Sequence, residues 1–434
     1  MIAFSAKVGT SRRLVRGCAR KRATRRVAPT NGFVTGLFLL CAAPAFADLR
    51  TGVAKVDITP TQPCMMSGYA GRTNLSTGVH DPLSARAVAF EHNGKRLVLV
   101  SSDIIGYYKT VDHMRSAILD ACKLKPEELV LTAIHTHAAP TPSLEPEKTH
   151  PNNVEYTKTL CAQLIKAVSE ALAGLKPARV GVGIGASPVG VNRRERMPDN
   201  TIRLGRNPVG STDKDVQVLQ IRERTGEKPL AVLFAYATHS TSLGSKNLVI
   251  SGDVHGLAEQ FVEKHLGITA PGFAGASGDI DPWFRVLPEI KADNGWIPEP
   301  VLLGTMLGEE VVHTSNKIRD FKQDGPVNST LKTIELPGKT NTVSMTLTVA
   351  RVGNVAFVGL GGEVFHEIGR AIKKASPFSH TFVITHCNDG AGYLVVKEAY
   401  AEGGYEVKTT HFAPEAADIV IKEVVSLLNQ LHAN

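Results

Sequence analysis

Two histidines stand two residues apart in Ile134-His135-Thr136-His137, at the end of the apolar run Leu129–Ile134. In an extended chain, residues i and i+2 point to one side, roughly 7 Å apart, so both imidazoles would face one pocket. One could ligate a metal while the other contacts a substrate; hydrogen-bonded loop histidines are the plainer alternative. His239 closes a second apolar run, Leu230–Ala237, and opens the cluster His239-Ser240-Thr241-Ser242. A buried imidazole there needs a hydrogen-bond partner or a metal. Glu363 follows a third run, Val355–Leu360, and two glycines that allow close backbone approach. Two histidines and one carboxylate form the donor set of a catalytic zinc site with an open position. No pair has the short spacing of a helical signature such as HExxH, so spacing alone does not group them. Asp281 lies in the acidic turn Gly278-Asp279-Ile280-Asp281-Pro282. Asp253 reads as a helix cap, and Tyr393, after Gly390-Ala391-Gly392, reads as a loop aromatic.

The elements that must carry these residues can be read from pattern. Ala85–His92 and Lys95–Ser102 alternate around Asn93-Gly94, a strong hairpin signal. Strands are expected at Arg50–Ile58, Leu129–Ile134, Val216–Arg222, Leu230–Ala237 and Thr381–Thr385, with a second hairpin from Thr342–Val349 and Asn354–Leu360. Helical periodicity covers Val111–Cys122, Asn153–Leu175, Val301–Phe321, Val364–Lys374 and Pro414–Leu431. Gly181-x-Gly183-x-x-Ala186 superficially matches a dinucleotide fingerprint, but it lies in a strand pattern, and Pro188 argues against the helix that motif must open. The mixture of hairpins and crossovers predicts an α/β fold, with mixed β-sheets covered by helices in a single large domain.

The formal charge of +8 misleads about the folded part. Residues 1–47 hold nine Lys/Arg and no acid; without them 40 basic residues face 41 acidic ones. That removes any basic-patch case for nucleic acid. The same segment has a cationic start, the apolar stretch Gly32–Ala43 and Ala45-Phe46-Ala47, an A-x-A pattern before Asp48. It reads as a cleaved signal peptide, which predicts a periplasmic or secreted protein with no transmembrane span after cleavage. Cys64, Cys122, Cys161 and Cys387 then remain. An oxidising compartment permits disulfides, but their spacing matches no zinc motif, and Cys122 and Cys161 sit in helical patterns as buried thiols would.

From about Arg50 onward the chain resembles the neutral/alkaline non-lysosomal ceramidase family, in its N-terminal catalytic domain. Short islands match in order: Gly68-Tyr69-Ala70, Gly78-Val79-His80, Ser84-Ala85-Arg86, His135-Thr136-His137, Asn192-Arg193, His239 with Thr241-Ser242, Ser251-Gly252-Asp253, Gly278-Asp279, Gly362-Glu363, and Gly392-Tyr393 with Tyr405-Glu406. The resemblance implies a zinc amidase holding one Zn2+ through His135, His239, Glu363 and Tyr393. It puts His137 and Arg193 beside the scissile amide.

Three departures shape the expectation. Asp281 stands where the family has a serine, Ser240 replaces a proline, and the chain ends at Asn434 without the family's C-terminal β-sandwich domain. The resemblance therefore predicts an exported hydrolase of an N-acyl amide, attacking with metal-bound hydroxide. In it Asp281 acts as general base, as an orienting group or, less simply, on a second metal. Esters and lactones are related substrates, and a non-catalytic binding protein is the alternative of another class.

Overall fold

The structure is a computed structural model that describes residues 48–283, 299–322 and 325–433; the signal-peptide reading falls outside the described residues. The first hairpin forms as its turn residues require. Asn93 and Gly94 take φ of 50° and 74°, the left-handed pair that matches strand twist. Ser84–His92 and Lys95–Ser102 then pair in continuous antiparallel register from Ala85↔Ser102 to His92↔Lys95. They belong to an eight-stranded sheet. Its spatial order is Gly272–Ala274, Pro229–Tyr236, Asp215–Glu223, Lys176–Ala186, Arg50–Asp57, Ser84–His92, Lys95–Ser102, Leu129–Ala133. Both outer pairs are parallel and the pairs between them antiparallel.

Alternation along these strands shows what each face meets. Leu97 and Leu99 point into one core, Val98 and Val100 into another, and all four are buried. The second core lies under the helices Val111–Cys122 and Pro151–Ala173. The first is shared with Val352, Val355, Phe357 and Phe382 of a second, four-stranded sheet. That sheet runs Val327–Leu336, Val343–Val352, Val355–Leu360, His380–Ile384, the last pair parallel. Its far face packs on the helices His366–Ala375 and Ala416–Ala433. The expected mixed sheets covered by helices are thus present, in a helix–sheet–sheet–helix stack. Phe357 lies 6.5 Å from Phe90 and 5.1 Å from Phe382, centroid to centroid. A fully buried aromatic of this kind contributes roughly 1.5–3 kcal/mol by area.

Some expectations change. The strand before His135 stops at Ala133, and His135 itself takes φ 60°. The two histidines therefore converge through a left-handed turn rather than through strand alternation. Strands at Gly190–Arg196 and Ile202–Asn207, too charged to read as strands, form a separate sheet with Ile280–Pro282. All four described cysteines are free thiols. Among the described residues, no helix is long and apolar enough to cross a membrane.

Candidate metal centre

Four strands, each hydrogen-bonded in parallel to a neighbour, deliver residues at their C-terminal ends, where open α/β sheets commonly place sites. His135 follows Leu129–Ala133, His239 follows Pro229–Tyr236, Glu363 follows Val355–Leu360, and His386 follows His380–Ile384. The loops are stitched together by backbone bonds: His137 N–H donates to Ser240 O and His239 N–H to Ile280 O, each at 3.0 Å. Gly68, at φ 98°, runs so close to His137 that a Cβ there would lie 2.2 Å from the ring. Gly362 packs on the Gly392 carbonyl, which brings Glu363 into register beside Tyr393.

His135, His137 and His239 each offer a ring nitrogen, and these atoms lie within 4.8 Å of one another. His135 Nε2 is 3.3 Å from His137 Nε2. Glu363 Oε2 sits 3.5 Å from His135 Nε2 and 3.4 Å from His239 Nε2. A tetrahedral ion with bonds of about 2.0–2.1 Å holds its ligand atoms roughly 3.3–3.4 Å apart. The donor set and its edges therefore fit one metal ion. The tautomers fit as well. His135 Nδ1 donates to Ile105 O at 2.8 Å and His239 Nδ1 to Ile280 O at 3.0 Å, leaving each Nε2 lone pair directed into the cluster.

The charges follow from burial and neighbours. Burial, then the Arg193 guanidinium, push the His239 imidazole below its ordinary value, which keeps it neutral. Burial alone would raise the Glu363 carboxyl, but His135 and His239 against it hold it well below the usual carboxylate range. Arg193, 3% exposed, donates from Nε to Glu406 at 2.8 Å and from its terminal nitrogens to Asp281 at 3.3 Å, to the Tyr393 hydroxyl at 3.1 Å and to His239 Nε2 at 3.3 Å. Burial and the nearby Glu363 carboxylate push the Tyr393 phenol well above its ordinary value. Asp281 Oδ1 is 3.9 Å from His239 Nδ1, behind the shorter bond to Ile280 O.

All seven residues singled out in the sequence thus gather at one place. His137, expected beside the substrate, also offers a ring nitrogen to the metal-capable cluster. Asp253, expected to cap a helix, does bond Val254 N–H at 2.7 Å, but it also accepts from Ser242 and Leu243 and so anchors the loop after His239. Sequence reasoning missed His386, whose ring stacks 3.8 Å from His135. It occupies the same position past an apolar strand as His135, and that was the available signal. Above the cluster a cavity of about 550 Å³ opens to solvent, lined in part by His137, Arg193 and Tyr393, within the usual range for small-molecule sites.

Residues 49–282 match the family model of the neutral/alkaline non-lysosomal ceramidase N-terminal region. Neutral ceramidase B of Dictyostelium discoideum is 28% identical over 221 residues, covering 48% of this chain and 30% of the relative. Neutral ceramidase of Mycobacterium tuberculosis is 27% identical over 239 residues, covering 50% and 36%. The chain thus spans about a third of the length of the curated relatives it matches. The crystal structure of neutral ceramidase from Pseudomonas aeruginosa superposes with a TM-score of 0.73 at 19% identity, over 89% of this chain and 75% of that one. That likeness establishes the fold, including the part beyond residue 282 that carries Glu363 and Tyr393. With more than half its length matched, the chain belongs to the neutral/alkaline non-lysosomal ceramidase family.

Proposed function

We propose that this chain is an exported, zinc-dependent amidohydrolase that cleaves an N-acyl amide, with residues 1–47 as its signal peptide and a single hydrolase domain from residue 48. The observation that carries the reading is the placement of Glu363 Oε2 3.5 Å from His135 Nε2 and 3.4 Å from His239 Nε2, close to the edges of a tetrahedral metal site. The names of the relatives, neutral ceramidases, support amide hydrolysis as the reaction class.

On this reading His135, His239 and Glu363 hold the ion, with the Tyr393 hydroxyl beside them. When bound, the metal supplies Lewis acidity, lowering the pKa of water to about 7 and polarising the substrate carbonyl. The chain supplies the rest. Arg193, fixed by Glu406 and Asp281, presents a preorganised cation where negative charge develops on the amide oxygen. His137, at the cavity wall, orients the amide. Asp281 is a positioning residue: its carboxylate holds Arg193 and lies against the Nδ1 edge of His239.

The test is a hydrolysis screen over N-acyl amides, esters and lactones of matched acyl length, before and after chelation. The proposal expects amide turnover that chelator abolishes and added zinc restores. Turnover indifferent to chelator, or confined to esters and lactones, contradicts it.

A further inference from the structure

The cavity above the cluster is cationic, and among the described residues no carboxylate lines it. Three of its lining residues are Arg72, Arg193 and Lys246. Arg193 is neutralised by Asp281 and Glu406. Arg72 is not. It is only 8% exposed, and its terminal nitrogens donate to three backbone carbonyls, those of Ser67, His137 and Asn247. Its Nε–H has no acceptor among the described residues. Burial pushes the guanidinium below its ordinary value, and among the described residues no carboxylate pairs with it. A buried cation without a counter-ion is costly to the fold. Lys246 lies in the turn whose next residue, Asn247, accepts the Arg72 bond, and it too has no acidic partner among the described residues. Two loops, joined by the bond from Arg72 to Asn247 O, therefore bring two cations without an acidic partner among the described residues into the wall of the pocket, and Arg72 also bonds the backbone of His137. Leu204 and Tyr405, both partly exposed, add apolar wall to the same cavity.

We propose that Arg72 and Lys246 form an anion subsite, and that the substrate is an amide bearing a carboxylate, of the N-acyl amino acid class. This rests on the amidohydrolase reading above. The acyl chain lies along Leu204 and Tyr405, and the carboxylate answers the two cations through charge-assisted hydrogen bonds. In the reaction the amide C–N bond breaks, the oxygen of water joins the acyl carbon, and a proton passes to the leaving nitrogen. The products are a fatty acid and an amino acid, with no change of oxidation state.

Two matched pairs test this on the metal-loaded protein. N-lauroylglycine and N-lauroylglycinamide are compared by kcat/KM, and the uncleavable probes dodecyloxyacetate and dodecyloxyethanol by calorimetric binding. The subsite predicts that the anionic member of each pair is preferred by about tenfold or more. It also predicts that the preference falls towards unity in Lys246→Gln, which removes an exposed side chain that makes no bond among the described residues. Arg72→Gln should do the same wherever it folds. Equal or weaker binding of dodecyloxyacetate, or a preference unchanged in Lys246→Gln, overturns the subsite. A binding preference that depends on Lys246, found without any turnover, upholds the subsite and refutes the hydrolase reading instead.

Discussion

Replacing Asp281 with asparagine keeps its shape and removes its charge. Asp281 and Arg193 are 2% and 3% exposed and meet at 3.3 Å. At an effective dielectric of about 20 their gross attraction is about 5 kcal/mol, and leaving a buried cation wholly unpaired costs about 3–5 kcal/mol. Arg193 keeps Glu406 at 2.8 Å, so the net loss in Asp281→Asn should be smaller, about 2–3 kcal/mol, read as a lowered denaturant midpoint. Because Asp281 is proposed to act through Arg193 and His239, kcat/KM and metal affinity should each fall by about 10–100-fold, the usual effect of a group that orients a ligand. Calorimetric unfolding, metal titration and amide turnover on the same preparation separate these terms. A folded, metal-loaded Asp281→Asn protein with full activity would refute the role altogether. A loss beyond about a thousandfold with metal affinity intact would instead make Asp281 the general base.

Two further outcomes follow from buried groups elsewhere. His255 is fully buried between Ser240 Oγ and the Tyr236 carbonyl, and burial pushes its imidazole down to about 4, below the ordinary value of about 6.5. As pH falls the unfolded chain takes up this proton first, so stability is lost between about pH 6.5 and 4, by roughly 3 kcal/mol from this residue. Denaturant midpoints across that range should slope downwards with acid and flatten in His255→Asn; an identical slope in the variant would contradict this. Burial also pushes the thiols of Cys64 and Cys387 up to about 11 and about 12. Native protein at pH 8 should therefore react with a thiol reagent first at the partly exposed Cys122. Rapid labelling of Cys387 without unfolding would count against the packing around it.

The fold was legible where local pattern and tertiary demand agree. Asn93-Gly94 specified its hairpin, and the alternation of Lys95–Ser102 marked a strand, although only the structure shows that both of its faces are buried, one under helices and one under a second sheet. Gly190–Arg196 was hidden because its arginines read as surface, yet Arg193 and Arg194 are buried and share Glu406, a contact 212 residues away for Arg194. At the site, the histidines and Glu363 were visible as polar residues past apolar strands. Their grouping depended on family resemblance, because the ligands come from loops of two different sheets. At His135 a φ of 60° breaks the strand alternation expected to aim its ring, so the sequence marks the residue but not its geometry.

His135, His239 and Glu363 are proposed to hold a catalytic metal. The most direct measurement is the metal content of purified wild-type protein beside Glu363→Gln, which keeps the side chain's size but removes the anion lying 3.4–3.5 Å from His239 and His135. One divalent ion, zinc, per wild-type chain is expected after dialysis, and in Glu363→Gln at least a hundredfold weaker affinity with amide turnover lost in parallel. Wild-type protein that purifies without metal, binds none on titration and behaves identically to Glu363→Gln would contradict it.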